Sequence, residues 1–379
     1  MVDMKELRAS IPVLEQFTYV DTAQRGLTPV QVTAAGFAAL QAWENLGTHQ
    51  EFAELKEQVR AGVAQLLQVD STEIALVGST GHGLNILAGA LSWQPGDNVV
   101  VSATEHPSNF YPWTNLRERG VEVRLVPCPA GALRPEDYEP YIDQHTKLVA
   151  ASLVTFYPGG LLPARELADL AHRRGALLVL DVIQAVGILP VYPRQLGADA
   201  VSSAAYKGLM SAYGAGFLYI GQHLLPKLKP EHLYMSGVVG EFGVGGGKLT
   251  DPDYGWKQTA ALFEPGGDNL AGFGQMKEAL QILSGIGVEN IGAHVQILAR
   301  KLAEGGKALG YQVDTPMDHL ANIVCLRIAD GKAIVQFLDD QRIKASARRY
   351  GLRMAFHAYN NLEDVNTVLA ALAEYPLRG

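Results

Sequence analysis

Cysteine is nearly absent: Cys128 and Cys325 are the two thiols in 379 residues. So few exclude a disulfide scaffold and any all-cysteine metal site. Both sit in or at the end of strand-like runs, "ANIVCLRI" and "VEVRLVPC", where packing in a reducing cytoplasm is the expected role. No H-E-x-x-H pair and no paired Cys/His spacing occurs, so no metal is expected. No apolar run approaches the ~20 residues of a membrane span. The N-terminal "MVDMKELRASIPVLEQFTYV" lacks a basic stretch followed by an apolar core, so no signal peptide is expected. Charge is sparse, 18% of residues with a net of −8, and no run of five like charges appears. Neither a nucleic acid nor an anionic membrane is therefore an expected partner.

What the chain does hold is apolar residue at the level of an ordinary globular protein, 48%. Its length allows two domains or three. Across residues 73–221 the runs "EIALVG", "NVVVSA", "VEVRLVPC", "KLVAASLV", "ALLVLDV", "ADAVSSA" and "GAGFLYIG" read as strands, and helical patterns separate several of them. Such alternation predicts an α/β domain, a mainly parallel sheet flanked by helices on both faces. Residues 234–269, rich in Gly, Pro and Asp, read as a long loop region, in which the glycine-rich segment 236–248 is a candidate mobile loop or a plain connection. Two helices, two strands and a terminal helix follow, predicting a smaller α+β C-terminal domain. The expected division is 21–265 for the large domain and 266–379, joined by 1–20, for the small one.

Several polar residues fall at strand ends. "LLVLDVIQ" runs a strand straight into Asp181, with Gln184 three residues on; in open α/β sheets the carboxyl ends of strands border the ligand crevice. Alone, Asp181 reads better as a helix N-cap than as a ligand-facing carboxylate. "LVGSTGHGLN" is a strand, a turn and a helix start whose free amides, with the hydroxyls of Ser79 and Thr80, suit a phosphate. Its glycines fall as G-x-x-G-x-G, which is not the dinucleotide fingerprint, and "FGVGGGKL" lacks the first glycine and the Ser/Thr of a P-loop. His106 follows another strand in "ATEHPSN", and Lys207 stands among small residues in "SSAAYKGLM". A phosphate turn, a carboxylate and a lysine at the edge of one sheet are the set that pyridoxal 5′-phosphate requires.

These segments resemble, in order and over nearly the whole chain, the class V aminotransferase family of fold type I pyridoxal-phosphate enzymes, which includes cysteine desulfurases, kynureninases and isopenicillin N epimerase-like proteins. "YVDTAQRGLTP" resembles the lead-in segment, "GSTGHGLN" the phosphate turn, "EHPSN" the ring-stacking histidine, "LLVLDVIQAVG" the Asp-x-x-Gln signature, "AAYKGLMSAYGAGFLY" the lysine signature, and "LRMAFHAYNNLEDVNTVLAAL" the C-terminal signature. The resemblance implies a Schiff base at Lys207, a pyridinium partner in Asp181, a hydrogen bond from Gln184 to the phenolic oxygen, and His106 stacked on the ring. It implies phosphate contacts from Thr80, Gly81 and His82, with Ser203 and Tyr206 as further donors. Arg353 would fork onto a substrate α-carboxylate, and Arg25 could meet an acidic substrate group or face solvent.

The implied activity is on an amino acid or amine, through an external aldimine and Cα deprotonation by Lys207, in a cytoplasmic homodimer. An isopenicillin N epimerase-like member is the first expectation; an aminotransferase or C–S lyase is the alternative, and a catalytically inactive binding or regulatory protein of the same fold is the alternative of another class. Two departures carry expectations of their own. The stretch "DDQRIKASARRYGLRM" has no thiol before Arg353, so a cysteine-nucleophile desulfurase is not expected. Gly267 stands where many relatives have a threonine that reaches the partner subunit's phosphate.

Overall fold

Seven apolar runs form one sheet, and their composition explains why they are buried on both faces. The strands are β1 (Ile74–Val77), β2 (Asn98–Ser102), β3 (Glu122–Val126), β4 (Thr146–Ser152), β5 (Leu177–Asp181), β6 (Ala200–Ala204) and β7 (Gly216–Ile220). Their order is β1-β7-β6-β5-β4-β2-β3. All run parallel except β7, which is antiparallel to both its neighbours. Strands covered on both faces need no polar alternation, and β1, β2, β6 and β7 are buried at every position. β3, one of the two edge strands, shows the opposite habit, with Glu122 exposed and Arg124 half-buried, and such charges blunt an edge that could otherwise pair with another chain. The computed structural model describes residues 3–45, 47–128, 133–239, 254–348 and 351–376; most of the glycine-rich segment 236–248 lies outside them.

The helices are α1 (Val30–Glu44), α2 (His49–Leu67), α3 (Thr80–Ala90), α4 (Ala164–His172), α5 (Leu270–Ile286), α6 (Val288–Ala308), α7 (Gly331–Asp340) and α8 (Leu362–Glu374). None is by itself long and apolar enough to cross a membrane among the described residues. α2 begins at a capping box in which Thr48 and Glu51 satisfy each other's amides. It is fastened at its far end by Arg60, whose Nη1 donates to Glu264 at 2.6 Å. Glu264 is buried and also accepts the Leu76 amide at 2.9 Å and meets Lys56 Nζ at 3.2 Å. α5 packs across both α1 and α2.

A second sheet is antiparallel: β8 (Gln312–Val313), β9 (Ile323–Arg327), β10 (Ser346–Arg348) and β11 (Gly351–Ala355), ordered β8-β9-β11-β10. α6 and α8 pack together, with α6 against β9. The N-terminal segment joins this part of the molecule. Thr18–Tyr19 pairs in parallel with Ile343–Lys344, and Asp21 bridges to Ala355.

Candidate active site

Parallel strands deliver the residues that follow them to a single edge of the sheet, and four of them do so here. Asp181, the last residue of β5, pairs with Ser152 of β4 on one side and Ser202 of β6 on the other. It is buried, and its carboxylate accepts the Ile183 amide at 2.9 Å. Lys207 follows the end of β6 and is also buried. Burial pushes the Asp181 carboxyl up to about 6, against the Ile183 amide and Lys207. Burial pushes Lys207 down to about 8, against the attraction of Asp181. At neutral pH the pair offers a carboxylate beside an amine whose neutral form is accessible.

The backbone around this lysine is held from three sides. The Gly26 amide donates to the Tyr206 carbonyl at 2.9 Å, and a Cβ on Gly26 would lie 2.0 Å from the Lys207 carbonyl oxygen. The Met210 amide donates to that same oxygen at 2.9 Å. His357, fully buried and pushed down to about 4 by desolvation, accepts the Ala358 amide on Nδ1 and donates from Nε2 to the Gly208 carbonyl at 2.9 Å. Tyr206 stacks on Tyr213 at 4.0 Å, with its ring centroid 5.7 Å from the Lys207 Nζ.

α3 is seated directly on β6. Ser79 accepts the His82 amide at 3.1 Å, the Thr80 hydroxyl accepts the Ala204 amide at 2.9 Å, and the Thr80 carbonyl accepts the Ser202 hydroxyl at 3.0 Å. Gly83 permits this, since a Cβ there would lie 2.3 Å from the Ser202 hydroxyl oxygen. The first-turn amides of Thr80 and Gly81 have no intrahelical acceptor, which suits them to an anion. Ser203, on the face of β6 opposite Ser202, instead donates to the Ala204 carbonyl at 2.8 Å. The His82 imidazole accepts the Gly78 amide at 3.3 Å and lines a cavity of ≈ 290 Å³ with His232 and Phe263.

His106 caps the short turn Pro107–Asn109, its Nδ1 accepting the Ser108 amide at 3.2 Å, which leaves the ring proton on Nε2. Burial and the cations Lys207, Arg353 and Arg348 push its pKa below the ordinary value, so the ring is neutral. Behind it, Glu105 accepts from the Ser152 amide at 2.8 Å and from Asn109 at 3.0 Å, and burial lifts its carboxyl to about 7. Gln184 is buried and donates to the Ala23 carbonyl at 3.0 Å.

The opposite wall comes from the second sheet. Arg353 on β11 is fully buried; its Nη2 lies 3.9 Å from Asp21 and its Cζ 4.8 Å from the Phe156 ring centroid. Asp21 is held by the Ser346 hydroxyl at 2.7 Å. Burial, then the like charge of Arg348, pushes the Arg353 guanidinium down to about 10. Cys325 lies across the ladder from Arg353, buried and pushed up to about 12. Arg25 is exposed, its carbonyl accepting the Tyr19 hydroxyl at 2.8 Å. Gly267 has a φ of +68° and open space around it.

Lys207, Asp181, His106 and Arg353 therefore form one electrostatic neighbourhood. Glu105, Asp21, Ser346, Arg348 and Phe156 belong beside them and were not singled out from the sequence. Glu105 and Asp21 stood inside quoted segments, each next to a polar signal; Phe156 gave no signal of its own. A cavity of ≈ 660 Å³ lined by Glu73, His172, Arg194, Asp199 and His223 lies at the other end of the strands and is separate from this site. Among the described residues no group of three His, Cys, Asp or Glu side chains could hold a metal ion.

A buried lysine and carboxylate beside a helix start with free amides suit a phosphorylated aldehyde cofactor, and the architecture is that of the fold type I pyridoxal-phosphate enzymes. The apo cysteine desulfurase of Thermococcus onnurineus superposes with a TM-score of 0.86 at 25% identity, covering 99% of this chain and 98% of that one. A cystine C–S lyase in complex with cysteine persulfide superposes at 0.88, with 22% identity over 96% and 99% of the two chains. The chain matches the aminotransferase class-V family over residues 18–375 and belongs to it; its cofactor is pyridoxal 5′-phosphate. A probable cysteine desulfurase of Methanothermobacter thermautotrophicus is 32% identical over 308 residues, 79% of this chain and 74% of that protein.

These similarities overturn one expectation. The exclusion of a cysteine-nucleophile desulfurase rested on a missing thiol in one loop, whereas the relatives bear the name cysteine desulfurase across most of the chain. A single loop position is weaker ground for a reaction class than similarity spanning both sheets. They also favour the C–S lyase reading over the epimerase-like one.

Proposed function

We propose that this enzyme breaks the bond between sulfur and the β-carbon of a sulfur-containing amino acid. The observation that carries the reading is the pairing of this site with relatives named cysteine desulfurase, at 32% identity in the case above. Bound pyridoxal phosphate supplies an electron sink conjugated to the substrate Cα.

The chain's own groups would then divide the work. Arg353, immobilised on β11, grips the α-carboxylate and fixes the Cα relative to Lys207. Lys207 holds the cofactor covalently and, once released, takes the Cα proton on Nζ; its lowered pKa makes the neutral amine available for both tasks. Asp181 keeps a proton at the ring nitrogen, and burial strengthens that contact. The neutral His106 ring would stack on the cofactor, Gln184 and Tyr206 would supply polar contacts to it, and the amides of Thr80 and Gly81 would hold its phosphate. Ser203 and the His82 side chain contribute less directly, given their present partners.

A homodimer is part of the same reading. Val30, Phe37, Leu40 and Trp43 are exposed on α1, and an apolar face of this kind is one that a second copy would cover. Neither cysteine is in a disulfide, which agrees with a cytoplasmic setting.

The test is incubation of the cofactor-loaded protein with cysteine and excess dithiothreitol, or with cystine and dithiothreitol added only after turnover, scoring sulfide, alanine and pyruvate separately. Sulfide release with either alanine or pyruvate, abolished in Lys207→Ala, is the expected result. Amino-group transfer to a 2-oxo acid with no sulfide would overturn the reading.

A further inference from the structure

Two guanidiniums, not one, line the substrate side of this site. Ser346 and Arg348 are two apart on β10, so their side chains share a face, and Ser346 pairs directly with Arg353 of β11. Arg348 is therefore the diagonal neighbour of Arg353, with attachment points about 7–8 Å apart. Both side chains turn onto one ring: the Cζ of Arg353 lies 4.8 Å and that of Arg348 5.3 Å from the Phe156 centroid. The same ring stands 5.2 Å from His106.

The charges around them are unbalanced. Asp21 is the one carboxylate paired with Arg353 among the described residues, at 3.9 Å, and the Ser346 hydroxyl already engages it. Arg348 makes no ion pair among the described residues; its Nη1 donates to the neighbouring Ala347 carbonyl. The Nε atoms of both arginines are buried and have no hydrogen-bond partner among the described residues. Arg353 itself donates only at 3.4 Å, from Nη1 to the Phe156 carbonyl and from Nη2 to the Ser346 hydroxyl, and guanidiniums placed side by side with weakly engaged donors are costly unless an anion joins them. Arg353 is fully buried and Arg348 half-buried, so the second cation lies nearer the solvent.

We infer that Arg348 forms a second anion subsite, and that the preferred substrate is an amino acid whose side chain ends in an acid group. Arg353 takes the α-carboxylate and Arg348 the distal acid, with Phe156 fixing both forks against its faces. The inference rests on the carboxylate role of Arg353 in the reading above, and not on which substrate bond is broken.

The first test needs neither a variant nor turnover. Succinate and butyrate, matched in carbon count, are titrated into the cofactor-loaded protein by calorimetry. Succinate is expected to bind about 10–100-fold more tightly, the worth of one charge-assisted contact. Arg348→Gln should erase that preference, and Arg348→Lys should recover part of it. The turnover counterpart compares S-carboxymethylcysteine with S-propylcysteine. Arg348→Gln should lower kcat/KM for the first by about 10–100-fold, mainly through KM, and for the second by less than about 3-fold. Equal affinity of the wild-type protein for succinate and butyrate, or equal loss on both cysteine derivatives, would overturn the subsite. If succinate is preferred but no derivative releases its sulfur, the subsite stands and the C–S reading fails.

Discussion

Glu105 accepts the Ser152 backbone amide at 2.8 Å, directly across the β4–β5 ladder from Asp181. The contact ties the His106 loop to the strand beside Asp181, and it makes a buried acid part of the scaffold. Because burial lifts this carboxyl from about 4.5 to about 7, the native state holds a proton that the unfolded chain has lost between those values. Its contribution to stability is present below pH 4.5 and declines as pH rises through 7. Glu105→Gln has no such titration. Its melting temperature relative to wild type is expected to rise between pH 5 and pH 8, by an amount equivalent to on the order of 2 kcal/mol. Calorimetric scans of both proteins across that range provide the check, and a flat difference would count against a protonated native Glu105.

Lys207 titrates in the other sense. Its pKa is pushed down to about 8, so between pH 8 and about 10.4 the unfolded chain binds more protons than the native one and this group's contribution to stability increases with pH. Covalent capture of added pyridoxal phosphate needs the neutral amine. The capture rate of the apoprotein should climb with pH to a midpoint near 8, as followed by stopped-flow absorbance. Lys207→Ala should show no capture that survives borohydride and gel filtration.

Asp181 holds the lysine's pKa up from the value that burial alone would set. Asp181→Asn is expected to move the capture midpoint below 8 while reducing turnover by about 100-fold or more, since the ring nitrogen loses its charged partner. A capture midpoint unchanged from wild type would show that the two groups are not coupled.

Glu264 carries no chemistry and a large structural duty. Its carboxylate is buried between Arg60 and Lys56 and accepts the Leu76 amide at the start of the sheet. Glu264→Gln leaves Arg60 with Glu57 and Lys56 with Asp268 as their carboxylate partners, and loss of the buried charged contact is expected to cost about 1.5–3 kcal/mol in urea unfolding. A loss under about 1 kcal/mol would mean that water compensates the pair.

Phe37→Asp combined with Trp43→Asp should leave the fold intact, because both side chains are exposed, while converting a dimer to monomer in sedimentation velocity. A wild-type protein sedimenting as a monomer would remove the homodimer from the proposal.

Most of the sheet was legible because strands buried on both faces are written as unbroken apolar runs with turns between them, as in Leu177–Asp181 and Ala200–Ala204. Strand ends then marked Asp181, Lys207 and His106, since the carboxyl ends of strands in an open α/β sheet border the ligand crevice. The other wall was harder to read. Asp21, Phe156 and Arg348 come together across more than 300 residues of sequence, and no local pattern announces a contact made by sheet register. Ser203 shows the converse limit: a hydroxyl of the right type sat one residue from the position that faces α3, and a one-residue step along a strand reverses its direction.

The clasp between Gly26 and Lys207 has a mechanical consequence. With the Gly26 backbone pressed on the Lys207 carbonyl and the Met210 amide bonded to the same oxygen, the main chain has no room to follow the side chain. In the role proposed for Lys207, each exchange of Nζ between cofactor and proton would have to be accomplished by torsions of the four methylenes alone. The lysine behaves as a swinging arm on a welded pivot, and its sweep sets which substrate atoms it can touch.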